Sequence, residues 1–318
     1  MLRLSFEMLC EPDALGITIP LQADSISGIV YTPWVEDGSL VGSPTPPIPQ
    51  VLGAAVDQPS PGGDTDWGES QFFSTSEHEL YRVRAVMVEL TGVELTGVEE
   101  TDPTALTHEQ RTRLFESIDG WIERLRLWHG ACARQYTGPR RHIPGERLHL
   151  WQHADGAITF IPHSPHFTVD ARAKVMSLDA AAVLLLVEKS NSGEDPPLER
   201  TLIVEARNHL SARRFRAAVL DAAAALELVL HQEMTRRLAV IGPSVPKLLL
   251  DRVTLGTLVD LVGLDYSGVT DTNKAITSVR NRVAHQGAVP TLDEATFIVG
   301  VAEATVNQLA TPLPISWN

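Results

Sequence analysis

Residues 189–198, KSNSGEDPPL, constrain the fold more than any other stretch, because the pattern of the chain changes across them. Pro196 and Pro197 halt an incoming helix, and Gly193 accepts backbone angles that other residues avoid. Before this segment, β-branched and aromatic runs alternate with one clear helix. After it, apolar residues recur only at helical spacing. The expected organisation is therefore α+β, with a mixed α/β domain over 1–190 and an all-α helical bundle over 198–318.

In the first part, SGIVYTPW (27–34) and ELYRVRAVMVEL (79–90) have strand composition. RLHLWQHADGAITFI (147–161) reads as two strands around an Asp155-Gly156 turn. Between these segments Leu114, Ile118, Trp121, Leu125 and Trp128 step by four and three, the stripe of an amphipathic helix, with Thr107 and Gln110 as its capping box. The proline- and glycine-rich stretch from about 37 to 68 reads as a long loop. The duplication VELTGVELTG (88–97) is too short for a solenoid repeat and reads as a strand extension or register slip.

In the second part, helices are expected over 198–212, 214–239, 254–264, 271–286 and 291–310. The second is alanine-rich, which permits close helix approach, and its Val219, Ala222, Leu226, Val229 and Leu230 should face a bundle core. Thr291 with Glu294 forms a capping box at the start of the last helix.

Charge follows the same division. The 318 residues carry a net charge of −14. Twelve acidic and twelve basic residues lie from Leu198 onward, so the first 197 residues, with 28 acids and 14 bases, hold all of the excess. Such a balance argues against the first part as a main phosphate-binding surface. AAAVLLLVEK (180–189) falls far short of the roughly 20 apolar residues of a membrane span, and the start of the chain shows no secretory pattern. Cys10 and Cys132 are too few for a disulfide framework. These features predict a cytoplasmic protein without membrane attachment.

SVRNRVAHQG (278–287) poses the functional question. On a helical wheel Ile276, Val279 and Val283 face the core, Arg280 lies at the stripe's margin, and Asn281, Ala284 and His285 follow round one flank. Arg282 points to the other flank. The strip offers a fixed positive charge, an amide and an imidazole around the small Ala284. Arginine holds phosphate through a forked pair of donors, and histidine transfers protons near neutral pH. That set suits attack at a phosphodiester better than acyl or hydride transfer. Spacing alone is weak: with 22 Arg and 11 His, Arg-x4-His arises by chance about once. It recurs in RLRLWH, from Arg124 to His129, without the Asn and among Leu and Trp residues, and is read there as a decoy.

VRNRVAHQG in a fourth bundle helix, after an alanine-rich helix containing AALELVL, resembles the HEPN superfamily over about 198–310, closest to its abortive-infection or Apea-like branch. That family's pattern is Arg-x4–6-His with a polar residue after the Arg, matched by Arg280, Asn281 and His285. Gly287 and the acidic Glu227 are also common features of such proteins. The resemblance implies a metal-independent endoribonuclease, a defence or toxin-type effector, needing no cofactor and working as a homodimer with RNA in a composite cleft. His285 would transfer protons, Arg280 would stabilise the charged transition state and Asn281 would orient phosphate or His285. Glu227 either pairs with Arg280 or Arg282 or faces solvent. The first domain, outside the resemblance, would then be regulatory, sensing a trigger or an antitoxin. The alternative is a non-catalytic module that binds a nucleotide or a protein partner through the same strip, as an adaptor or sensor.

Other groups carry weaker signals. His142, His149, His153, His163 and His166 with Cys132 lack zincin spacing and any CxxC, so no metal site is expected. RQYTGPRRHIPGER (134–147) reads as a solvated basic loop, with guidance of RNA as its second reading.

Overall fold

The computed structural model describes residues 2–23, 26–36, 39–41, 68–71, 80–91, 108–133, 148–152, 158–162, 177–240, 242, 250, 253–263 and 272–313. The chain divides into two compact units, Met1–Asp195 and Pro196–Asn318. Strands fall in the first, and the elements described in the second are helices, so the fold class is α+β.

The first unit is built on one long strand. β1 (Leu2–Cys10), β2 (Thr18–Ala23), β3 (Ile26–Tyr31), β6 (Gly68–Gln71), β7 (Leu80–Thr91), β8 (Leu148–Gln152) and β9 (Ile158–Pro162) form a seven-stranded antiparallel sheet, and β4 (Trp34–Glu36) pairs with β5 (Ser39–Val41) beside it. The first half of β7 pairs with β1 and β6, and its second half with β3 and β9. Burial along β7 changes phase from Tyr81 and Val83 to Val86 and Val88. The β1 register shifts at the same place, between Arg3 and Met8; such an irregularity lets a strand swap the face it buries.

α1 (His108–Ala133) and α2 (Ala180–Asn191) supply the other half of this core. Ile118, Trp121, Leu125 and Trp128 are buried, as their four-and-three spacing requires. Leu125, Val183, Leu186 and Val187 line one small apolar crevice with Met8, Ile19, Val30 and Val86. Asn191 fixes the end of α2. Its Oδ1 accepts from Gln22 N and Trp121 Nε1, both at 3.0 Å, and its Nδ2 donates to Pro20 O at 2.8 Å.

Several expectations change here. β1, β2, β5 and β6 carry no alternation strong enough to show in the sequence; β1 is interrupted by its register shift, and the other three have only 6, 3 and 4 residues. Strand β5 interrupts the loop expected over 37–68. SGIVYTPW divides into residues 27–31, all of β3 but its first residue, and Trp34 at the start of β4, with Thr32 and Pro33 between them. β8 and β9 pair as the expected hairpin, Trp151 opposite Thr159. Thr107, the Asp155-Gly156 turn and the second half of the 88–97 duplication lie outside the described residues.

Among the described residues the second unit holds α3 (Leu198–Ser211), α4 (Phe215–Ala239), α5 (Leu255–Val262), α6 (Thr272–Gln286) and α7 (Leu292–Leu309). α4 is central and packs against the other four. Ala218, Ala222 and Ala225 let its neighbours approach closely, while Val219, Leu226, Val229 and Leu230 fill the core with Ile276 and Val283 of α6 and Ile298 and Ala302 of α7. Thr291 and Glu294 make both bonds of a capping box at the start of α7. On α3, Arg207 reaches Glu303 of α7 at 3.7 Å. No described helix is long and apolar enough to cross a membrane.

Candidate functional site

α6 presents its polar strip because its apolar residues leave it no other orientation. Ile276 and Val283 are wholly buried and Val279 nearly so, which directs Arg280, Asn281 and His285 to the outer side of the helix. The helix ends at Gln286, and Gly287 beyond it has a φ of +67°, a conformation that costs other residues energy. There Ala288 N–H donates to Arg282 O at 3.2 Å and closes the last turn.

The three side chains meet. Arg280 Nη1 donates to Asn281 Oδ1 at 3.2 Å and lies 3.3 Å from His285 Nε2. A guanidinium has only donors, so in this contact the imidazole accepts at Nε2 and carries its proton on Nδ1. Glu227, from α4, brings a carboxylate to the same group, with Oε2 3.9 Å from Arg280 Nη2. Arg280 is about one-third exposed and Glu227 somewhat more, with side-chain values of 31% and 43%, so a ligand can reach both. Asn281 and His285 are exposed.

Arg282 does not join them. Its Nη2 pairs with Glu294 Oε1 of α7. Glu294 also accepts from Thr291 N at 2.9 Å, and that backbone bond, ahead of Arg282, holds its carboxyl below the usual range. Arg282 therefore ties α6 to α7.

Comparison with protein-family models, curated proteins and solved structures gives no match. The chemistry of the site rests on its own geometry. A guanidinium between an imidazole and a carboxylate can receive a phosphate, and the imidazole beside it can take or give a proton. The Arg124–His129 pair makes no such group: Arg124 Nε donates to Ser190 O at 3.1 Å, and His129 is fully buried.

Among the described residues no cluster of three or more His, Cys, Asp or Glu has the geometry of a metal site. Cys132 is buried; His142, His153, His163, His166 and the basic loop 134–147 lie outside the described residues. A further polar pair was not singled out by the sequence. His209 Nε2 of α3 lies 3.4 Å from Asp221 Oδ2 of α4, and burial holds the Asp221 carboxyl above its ordinary range, against the pull of His209. The signal was there: the two residues flank the short 212–214 turn, and antiparallel pairing of the helices brings them opposite each other.

Proposed function

We propose that this chain is a metal-independent endoribonuclease of HEPN type, a defence or toxin-like effector with Arg280, Asn281 and His285 as its catalytic residues. The observation that carries the reading is the meeting of those three side chains around one guanidinium, with Glu227 on its other edge. In the proposed reaction the ribose 2′-hydroxyl attacks the adjacent phosphorus, the bond to the 5′-oxygen breaks, and a 2′,3′-cyclic phosphate and a 5′-hydroxyl result. Arg280 holds the non-bridging oxygens as negative charge builds on them. His285 accepts or returns the proton, and Asn281 steers Arg280. A fixed guanidinium supplies the positive charge that a divalent cation supplies elsewhere, so the reaction needs none.

One strip offers one imidazole, whereas in-line displacement profits from a base and an acid on opposite sides of phosphorus. We therefore infer a homodimer in which two strips share a cleft; Val289 and Leu292, exposed just beyond His285, give such a contact apolar surface. The acidic first unit is assigned regulation or recognition of a trigger. Incubating the protein with RNA in EDTA and mapping the new ends tests the reading. New 5′-hydroxyl ends and cyclic phosphates are expected, lost in Arg280→Ala; intact RNA, or cleavage abolished by chelation, contradicts it.

A further inference from the structure

Both terminal nitrogens of Arg280 already face protein groups. Nη1 serves Asn281 and His285 within α6, and Nη2 faces the Glu227 carboxylate of α4 at 3.9 Å. A phosphate that takes Nη2 is therefore met by a negative charge. At 3.9 Å the Glu227 contact is an ion pair without the short directional bond that would lock it, and both partners are partly exposed. An incoming phosphate oxygen can replace the carboxylate on Nη2, but it then lies within a few Å of that same carboxylate.

The cost of that approach depends on ligand charge. A phosphodiester inside a nucleic-acid strand carries one negative charge, whereas a terminal phosphate monoester carries about −1.5 to −2 at pH 7. Arg280 alone would favour the more highly charged group. With Glu227 beside it the pair is close to neutral, and that preference is cancelled. We propose that Glu227 is a specificity-determining residue that tunes the Arg280 site to internal phosphodiesters and against terminal phosphate monoesters. This rests on the reading of Arg280 as a phosphate holder and adds to it a reason for cutting within strands in preference to trimming phosphorylated ends.

The test uses two ligands that cannot be cleaved through a 2′-hydroxyl: the deoxydinucleotide dApA, a monoanionic diester, and deoxyadenosine 3′-monophosphate. Their dissociation constants are measured on the full chain at pH 7.5 and low salt from the shifts of the His285 imidazole signals. In Glu227→Gln the monophosphate should gain affinity over the diester by roughly threefold relative to the unaltered protein, the scale of a partly exposed charge pair. Glu227→Asp, which keeps the charge, should leave the ratio near its original value. A purely structural Glu227 would not make the ratio follow ligand charge. An unchanged ratio in Glu227→Gln, or no binding of either ligand, overturns the proposal. RNA cleavage by the same samples separates the two readings. Cleavage with an unchanged ratio removes only the role of Glu227; a shifted ratio without cleavage removes the ribonuclease reading and leaves the selective anion site.

Discussion

Arg124 and His129 in α1 have the same separation as Arg280 and His285 in α6, yet the two pairs live in different surroundings. In α1 the arginine spends its Nε on the Ser190 carbonyl, and the histidine is wholly buried beside Leu125 and Trp128. In α6 the two side chains come within 3.3 Å of each other on an exposed flank, with Asn281 and Glu227 on the same guanidinium. Spacing sets the angle between two side chains around a helix; what the helix packs against decides whether they can meet a ligand. α1 buries its residues on both sides of the His129 position, from Leu125 to Gly130 without interruption, whereas the buried residues described in α6, Ile276, Val279 and Val283, share one side.

The largest effects should separate these two places. Arg280→Ala is expected to lower the rate of RNA cleavage by at least about a hundredfold, the scale set by removing a positioned donor from a developing oxyanion. Arg280→Lys should recover little, because an ammonium keeps the charge and loses the fork. Leu125→Ala should do the reverse. Truncating this buried residue should destabilise the first unit by about 2–5 kcal/mol, seen as a lower thermal midpoint, while the cleavage rate of the folded protein stays within twofold.

The helical unit is legible in the sequence. Its helices carry signals that act locally: the four-and-three stripe of α4, the Thr291–Glu294 capping box, and Gly287 beyond α6. Each described helix begins and ends within two residues of where those signals put it. The first unit depends on partners distant in the chain. β1 finds β7 about seventy to eighty residues away and shifts register on the way, and Asn191 reaches back to Pro20 and Gln22; neither leaves a local trace. At the site, the flank shared by Arg280, Asn281 and His285 follows from helical geometry alone. Which of Arg280 and Arg282 would meet Glu227 required the packing of α4 against α6.

Smaller effects sharpen the contrast by loosening α6 without touching its strip. Thr291→Ala removes the cap of α7 and should cost about 1 kcal/mol, read in urea unfolding. Arg282→Ala breaks the half-exposed pair with Glu294 and should cost about 0.2–1 kcal/mol, with cleavage of the folded protein retained. Acid tests the far end of α4. Hydrogen bonds from Arg236 and Arg237 hold the Glu233 carboxyl down to about 2. A carboxyl lowered on folding stabilises the folded state above its ordinary pKa, and the contribution is lost as pH falls from about 4.5 toward 2. Glu233→Gln should therefore flatten the fall of the urea midpoint across that window, and leave the midpoint's response between pH 6 and 8 unchanged.

On the proposed function, exposure and neighbours, rather than spacing, make a catalytic pair of Arg280 and His285. His285→Ala and His129→Ala, assayed side by side for RNA cleavage in EDTA at equal folded concentration, test it most directly. The expected result is a loss of at least about a hundredfold in His285→Ala, as for removal of a general acid or base, with His129→Ala within twofold of the unaltered chain. Full cleavage in His285→Ala, or an equal loss in both, would contradict the account.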